Sequence, residues 1–376
     1  MSNDVKPVRI AQIMGKLWAG GVEAVVFNYY RKINKDKIQY DFYYDEDSTV
    51  EPPQELINMG ARFIKIPPYQ KLPIYINTLR KYFKENDYML VHSHINTLSV
   101  FPLFAAWTAG IPIRIAHNHS VPGGNEFRRN LLKYILRCFA KVFSTDYFAC
   151  SEKAARWMFG DSYYKKGKVH VLKNAIDFER FRPTEEDIKP LRNKLGLEGK
   201  FVVGHVGRFT FAKNHPFLIE VFSEVVKKKD NAVLLLVGDG ELHDQITKIV
   251  NQAGIVDKVV FVGQVSNPEK YYRLANVILV PSIFEGLSLT TIESQIAGVP
   301  TVVSESVPEE AIIGEGVARV SLKKNAEEWA DIAIELSKQK VVLDDRSKNY
   351  EIKGQAEKLT KWYVNKLASV KGNKHA

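Results

Sequence analysis

Short apolar runs of strand length alternate with longer amphipathic segments from one end of the chain to the other. That rhythm predicts repeated βαβ units wound around parallel sheets, an α/β fold. In the first half, strands are expected near Val8–Met14, Tyr40–Tyr44, Arg62–Ile66, Tyr88–Ser93, Ile113–His117, Tyr147–Cys150 and Val169–Leu172. Helices such as Glu23–Ile33 and Asn125–Phe143 fill the gaps. A stretch holding Pro183, Pro190, Gly196 and Gly199 with mixed charge then precedes a new apolar strand at Phe201–Val206. The rhythm repeats with strands near Val233–Val237, Val259–Val262, Val277–Val280 and Thr301–Val303. The expected plan is a first domain over 1–182, a linker over 183–199, a second domain over 200–355, and a helix over 356–376 placed to pack back on the first domain.

Composition agrees with two packed cores. The 376 residues suit two domains of roughly 180 residues each, and 45% hydrophobic with 26% charged residues is a globular balance. The N-terminus lacks the basic, apolar, small-residue order of an export signal. The least polar stretch, Val100 to Ile113, is too short to cross a bilayer. Cys138 and Cys150 are too few for a disulfide framework and read as reduced core residues, so a cytoplasmic protein is expected. The net charge of +10 sits almost wholly in residues 1–184, with about 27 Lys/Arg against about 17 Asp/Glu. The first half therefore faces something anionic. No basic patch interleaved with aromatics argues for nucleic acid.

Open parallel sheets bind ligands outside the carboxyl ends of their strands. The loops after strands are thus where chemistry is sought, and the cleft between two such domains is the expected site. After Phe201–Val206 come Gly207, Arg208 and, five residues on, Lys213, followed by a helix over Pro216–Lys227. A guanidinium fork and an ammonium at one sheet edge suit a diphosphate. After Val277–Val280 the chain runs from Pro281 through Glu285, Gly286, Leu287, Ser288 and Leu289 into a helix closed by Gly298, with Ser288 at the N-cap. Backbone N–H groups at Gly286, Leu287, Ser288 and Leu289, with the positive end of the helix dipole, offer an anion site that needs no metal. Glu293 falls about five residues into that helix, roughly 7 Å past its cap. A carboxylate there can accept from both hydroxyls of a ribose, while Glu285 lies toward the sugar side. Taken singly, these features also describe a solvated loop and a chance pair of glutamates; the joint pattern carries the reading.

That joint pattern has a likeness. Gly207-Arg208-Phe209 with Lys213-Asn214, Gly238-Asp239-Gly240, and Pro281-Ser282 through Phe284-Glu285-Gly286 to Glu293, with Ala297-Gly298 and Pro300, resemble the donor domain of family 4 retaining glycosyltransferases of the GT-B fold. The likeness covers nearly the whole chain. Gly20-Gly21-Val22-Glu23, Val91-His92-Ser93-His94, Arg114 through His119 and Leu172 through Asp177 resemble the branch that builds bacterial exopolysaccharide and capsule. The resemblance implies two Rossmann-like domains facing a cleft. It implies transfer of a hexose-type sugar from a nucleoside diphosphate sugar, UDP being the expected nucleotide, to a saccharide or polyprenyl-linked acceptor. Position by position it implies that Arg208 and Lys213 bind the diphosphate, Glu293 the ribose, and Glu285 the transferred sugar. Ser288 stands where the family usually has Pro, which changes the cap and leaves the anion site.

In the first domain, Gly20 and Gly21 match neither the dinucleotide fingerprint nor the P-loop; by resemblance this loop lies near the donor phosphates and acceptor, the other reading being a plain tight turn. His117 and His119 end the fifth strand, and one of them is expected to face the donor sugar; either register fits. His92 and His94 read as packing or supporting residues. Arg129, Lys133, Arg137 and Lys141 recur every four residues beside Leu132, Ile135, Leu136, Phe139 and Phe143. The stripe is either an anionic-membrane contact on the inner face of the cell membrane or the solvated side of a core helix. With cations in place and no Asp-x-Asp pair, neither a metal nor another cofactor is expected. Retention is implied by the resemblance, through front-face substitution. Rivals are a sugar-nucleotide epimerase of similar fold and an inactive scaffold subunit of a polysaccharide-assembly complex.

Overall fold

The computed structural model describes residues 6–18, 20–121, 127–265 and 267–372. In the first of two units, which runs to Ile176 and resumes at Tyr350, the strands are β1 (Val8–Gly15), β2 (Ile38–Asp45), β3 (Arg62–Ile66), β4 (Leu90–Ser93), β5 (Ile113–Asn118), β6 (Asp146–Ala149) and β7 (Val169–Val171). They pair in parallel in the order β3-β2-β1-β4-β5-β6-β7. Parallel strands with both faces covered must be apolar throughout, and the polar residues in them need internal partners. Asp41, fully buried in β2, accepts from Arg9 Nε at 2.7 Å, from Tyr88 at 2.5 Å and from Arg62.

The second unit, Asp177–Asn349, contains β8 (Phe201–Val206), β9 (Ala232–Val237), β10 (Val259–Gly263), β11 (Val277–Val280) and β12 (Thr301–Ser304). The order is β10-β9-β8-β11-β12, and Val317–Val320 adds a sixth strand at the edge, all parallel. In both sheets the strand order reverses at one place, between β1 and β4 and between β8 and β11. Those reversals are the switch points where adjacent loops part and a ligand can enter.

Residues 183–199 are no linker. Thr184 and Asp187 form a capping box on helix Glu185–Lys194, and Ile188 and Leu197 pack with Val202, Val233 and Leu235 in the core of the second unit. The unit boundary lies at Ile176/Asp177, ahead of the Pro and Gly residues that punctuate this helix. The last helix begins at Ile352 and runs to Gly372. Its buried Ile352, Ala356, Leu359, Tyr363 and Leu367 recur at three- and four-residue spacing, one helical face set into the first unit. Ile176 N–H donates to Tyr350 O at 2.7 Å and Ile352 N–H to Ile176 O at 3.0 Å, so the departing and returning chain are tied together.

Two expectations about side-chain placement are corrected. Cys138 is exposed and only Cys150 is buried. The helix expected over Asn125–Phe143 is described from Phe127 to Phe139, and its apolar residues divide: Leu136 is buried and Phe143, beyond the helix, packs on the core of the first unit. Arg137 is half-buried with its guanidinium over the Trp157 ring at 5.5 Å, and Lys141 Nζ lies over Tyr163 at 4.4 Å. Leu132, Ile135 and Phe139 are instead exposed at 48%, 51% and 49%. Cation–π attraction draws Arg137 and Lys141 onto the neighbouring aromatics, and of the apolar residues Leu136 faces in while Leu132, Ile135 and Phe139 face outward. The Arg129 side chain falls outside the described residues. Among the described residues, no helix is long and apolar enough to cross a membrane.

Candidate functional site

At the switch point of the second sheet, two glycine-bearing loops are stacked. Gly207 N–H donates to Val237 O at 2.9 Å and Phe209 N–H to Asp239 O at 3.0 Å. Gly238 adopts φ +137°, and a Cβ there would lie 2.0 Å from Gly207 O. Only glycine allows this approach. Phe209, fully buried against His215 at 4.6 Å, anchors the loop. The Arg208 side chain is exposed and makes an ion pair with Glu241 at 3.3 Å.

Lys213 closes the turn Phe211–Lys213, and Asn214 in the left-handed region starts the next helix. Ile283 N–H donates to Ala212 O at 2.8 Å, which ties this turn to the loop after β11. That tie brings Lys213 Nζ within 2.6 Å of Glu285 Oε1, which also accepts from Ser282 Oγ at 2.8 Å. Both side chains are largely shielded, so the pair is stronger than a surface ion pair. Beneath them, buried His205 gives its Nδ1 proton to Leu279 O at 2.8 Å. Burial pushes its pKa down to about 4 and that of His215 to about 2, so neither adds charge at neutral pH.

The following helix spans Leu289–Ile296. Ser288 stands at its N-cap in the left-handed region (φ 63°), but no side chain caps the first turn; its hydroxyl pairs with Thr291 Oγ1 at 2.8 Å. The cap expected of Ser288 is thus positional only, because the left-handed backbone turns its hydroxyl toward a side chain instead of the N–H groups. Thr290 Oγ1 donates to Val206 O at 3.0 Å, which sets the helix start against the end of β8. Lys213, Glu285 and the beginning of this helix are therefore brought together. The Arg208 guanidinium is not in that set; it lies on Glu241. On the fifth residue of the helix, half-buried Glu293 accepts from Tyr272 OH at 2.6 Å. Burial pushes its carboxyl up to about 7, with Glu269 adding to the rise and Tyr272 and Lys213 opposing it.

In the first unit, Gly20 caps the helix Gly21–Lys32, and Glu23 of the first turn folds back so that Trp18 N–H donates to its Oε1 at 2.7 Å. The chain's own carboxylate thus occupies the anion position that the Gly20–Gly21 turn creates. Burial raises the Glu23 pKa against the pull of these N–H groups.

The reversal between β1 and β4 holds four histidines. The rings of His92 and His94 stack at 4.2 Å and those of His117 and His119 at 4.0 Å. His117 is 1% exposed, whereas His119 is half-buried. Ring nitrogens of His92, His94 and His117 lie within 4.8 Å of one another. Except for His117 Nε2, they are engaged with each other and with Gln12, Tyr363 and His119. Burial lowers the pKa of all four, that of His119 to about 3. Sequence reasoning missed Glu23, Tyr272, Ser282, Gln12 and Tyr363. Glu23 was visible as an acidic residue in a first helical turn; Tyr363 meets His92 across 271 residues, and nothing local signals it.

Comparison with known proteins places the chain. Residues 187–356 match the family described as glycosyl transferases group 1, and residues 19–180 match Glycosyltransferase Family 4. EpsF of Bacillus subtilis (strain 168) is 31% identical over 330 residues, 86% of each chain. The chain belongs to this glycosyltransferase family. The capsular polysaccharide biosynthesis glycosyltransferase CapH of Staphylococcus aureus is 24% identical over 296 residues, 76% of this chain and 78% of CapH. Among solved structures, HepE of Anabaena in complex with UDP-glucose superposes with a TM-score of 0.70 at 17% identity, over 97% of this chain and 99% of HepE. The two parallel-sheet Rossmann-like units of this glycosyltransferase accordingly carry the GT-B fold.

Proposed function

We propose that this glycosyltransferase moves a hexose-type sugar from a UDP-sugar to a saccharide or polyprenyl-linked acceptor, with retention of configuration, in exopolysaccharide or capsule assembly. The observation that carries the reading is the gathering of Lys213, Glu285 and the uncapped start of the Leu289–Ile296 helix at the switch point of the second sheet. A diphosphate arriving there meets the Lys213 ammonium, paired with Glu285, helix-start N–H groups that no side chain caps, and the positive end of the helix dipole. The UDP-glucose held by HepE and the capsule-building role in the name of CapH support the donor class and the pathway.

In this reading Arg208 swings from Glu241 to join Lys213 on the diphosphate. The N–H groups of Gly286, Leu287, Ser288 and Leu289 close on it, Glu293 takes the ribose hydroxyls, and Glu285 faces the transferred sugar. Between His117 and His119, the half-buried His119 is the one that meets that sugar. Gly20 and Gly21 line the acceptor's approach by their small size, since Glu23 already draws on the N–H groups of their turn. On the front face of the donor, the bond from the anomeric carbon to the phosphate oxygen breaks while the acceptor oxygen bonds to that carbon. The acceptor's proton passes to the departing phosphate oxygen, and the leaving charge is met by Arg208, Lys213 and the helix dipole without a metal or other cofactor. In this reading the enzyme docks on the inner face of a membrane, which the exposed Leu132, Ile135 and Phe139 of the Phe127–Phe139 helix support.

Sugar transfer from a panel of UDP-sugars tests the reading. Arg208→Ala and Lys213→Ala are each expected to lower turnover by about 10², with melting temperature maintained and EDTA leaving the wild type unaffected. Full activity in Lys213→Ala, or an EDTA block reversed by divalent metal, would overturn it.

A further inference from the structure

Trp18 stands three residues past the end of β1, at the carboxyl edge of the first sheet, and is 46% exposed. A lone apolar side chain at a surface needs no explanation, but the backbone beneath this one is pinned from both sides. Leu17, just before it, is buried; its N–H donates to Ser48 Oγ at 2.9 Å, and its carbonyl accepts from Thr49 N–H at 3.1 Å. Ser48 Oγ in turn donates at 2.6 Å to the carbonyl of Asp45, the last residue of β2. Trp18 N–H itself donates to Glu23 Oε1 at 2.7 Å. The loops after β1 and β2 thus hold Trp18 in place without burying its ring. Ordering a loop costs conformational entropy, and a ring fixed beforehand spares a ligand that cost.

The charges around the ring are already matched. Lys16 Nζ lies 4.8 Å from the centre of the indole and pairs with Asp47 Oδ2 at 2.9 Å. At the start of the Gly21–Lys32 helix, the Glu23 carboxylate draws on the N–H groups of Trp18, Gly20 and its own residue. The two features that attract anions here, an ammonium and a helix start, each have a carboxylate of the chain on them. A phosphate arriving at this edge must displace one of those carboxylates. What the edge presents is a charge-balanced amphipathic surface: a half-exposed indole beside an ion pair. A pyranose has the matching chemistry, with ring C–H groups forming an apolar face for the indole and hydroxyls around its rim for polar neighbours.

We propose that Trp18 is a specificity-determining residue for the acceptor: it stacks on a neutral pyranose ring, so that the group recognised in the acceptor is a saccharide and not a bare polyprenyl phosphate. The proposal rests on the reading that the first unit receives the acceptor of a sugar transfer. It narrows the acceptor class, since a saccharide carried on a lipid satisfies the indole as well as a free one does.

Saturation-transfer NMR on the full chain reads glycoside binding without turnover. The probes are the methyl glycosides of glucose, galactose and N-acetylglucosamine, with a short-chain polyprenyl phosphate as competitor. At least one glycoside is expected to bind, with saturation strongest at its ring C–H protons, and the polyprenyl phosphate to leave that signal in place. Trp18→Ala should weaken this binding, and raise the KM for the same glycoside as acceptor, by about tenfold, the worth of one aromatic stack. Melting temperature and the KM for the UDP-sugar are expected to hold. Trp18→Tyr should recover most of the loss and Trp18→Leu none of it. Absence of glycoside binding, equal binding in Trp18→Ala, full recovery in Trp18→Leu, or displacement of the glycoside by the polyprenyl phosphate overturns the proposal. A wild type that transfers sugar from no UDP-sugar instead removes the reading beneath it, so the two failures are told apart.

Discussion

Glu293 is a carboxyl whose environment works against its charge. Burial pushes its pKa up to about 7, while the Tyr272 hydroxyl and Lys213 pull the other way. A raised pKa means the folded protein keeps a proton that the unfolded chain has lost, so this group lowers stability as pH rises from its ordinary range to about 7. In the proposed site ligand binding would have the opposite sign, because ribose hydroxyls would donate to the ionised form. The affinity for UDP-glucose, whose diphosphate is esterified and does not titrate in this range, is expected to rise by up to tenfold per unit from pH 5.5 and to level off above about 7. Glu293→Gln should flatten the curve in calorimetric titration; a slope surviving in that variant would remove Glu293 from the ribose. The placement of Arg208, Lys213, Glu285 and Glu293 after the ends of β8 and β11 was legible in the sequence, from their spacing to a glycine or helix start. Their mutual arrangement was not. That Lys213 rests on Glu285, and Arg208 on Glu241, depends on loop ties such as Ile283 to Ala212 that leave no mark in composition.

The Phe127–Phe139 helix shows how periodicity can define faces without saying which is covered. Arg137 in the helix is drawn to Trp157 and Lys141 just beyond it to Tyr163, while Leu136 is buried and Leu132, Ile135 and Phe139 face solvent. Membrane attachment would then come from apolar insertion more than from charge. The combined variant Leu132→Asp, Ile135→Asp and Phe139→Asp is expected to abolish co-sedimentation with phosphatidylglycerol vesicles. Neutralising Arg137 and Lys141 should leave most of the binding. Vesicle binding by the triple variant equal to wild type would rule out this face. The strands were easier: those of the second sheet's centre were marked by apolar runs such as Ala232–Val237 and Val277–Val280, whereas the short edge strand Val317–Val320 escaped notice. The segment around Pro183 and Pro190 was misread because helix-capping residues and linker residues are the same types.

On the scale of the molecule, the first unit is discontinuous in sequence. Ile352, Ala356, Leu359, Tyr363 and Leu367 set five buried side chains into it from the far end of the chain, each worth about 1.5–3 kcal/mol for the larger residues. Removal of residues 352–376 is therefore expected to unfold or loosen the first unit selectively. In hydrogen exchange, amides of β1, β4 and β5 should lose protection while those of β8, β9 and β11 keep it. Equal loss in both sheets would show that the two units do not fold as separate cores.

The same discontinuity sets an order of events on the ribosome. Domains ordinarily mature in the sequence in which they emerge. Here the residues that close the earlier-made sheet are translated only after Asp177–Asn349 are already out. Newly made β1, β2 and β4 must wait through that whole interval with an apolar face uncovered, so the part of the polypeptide born first is the part completed last.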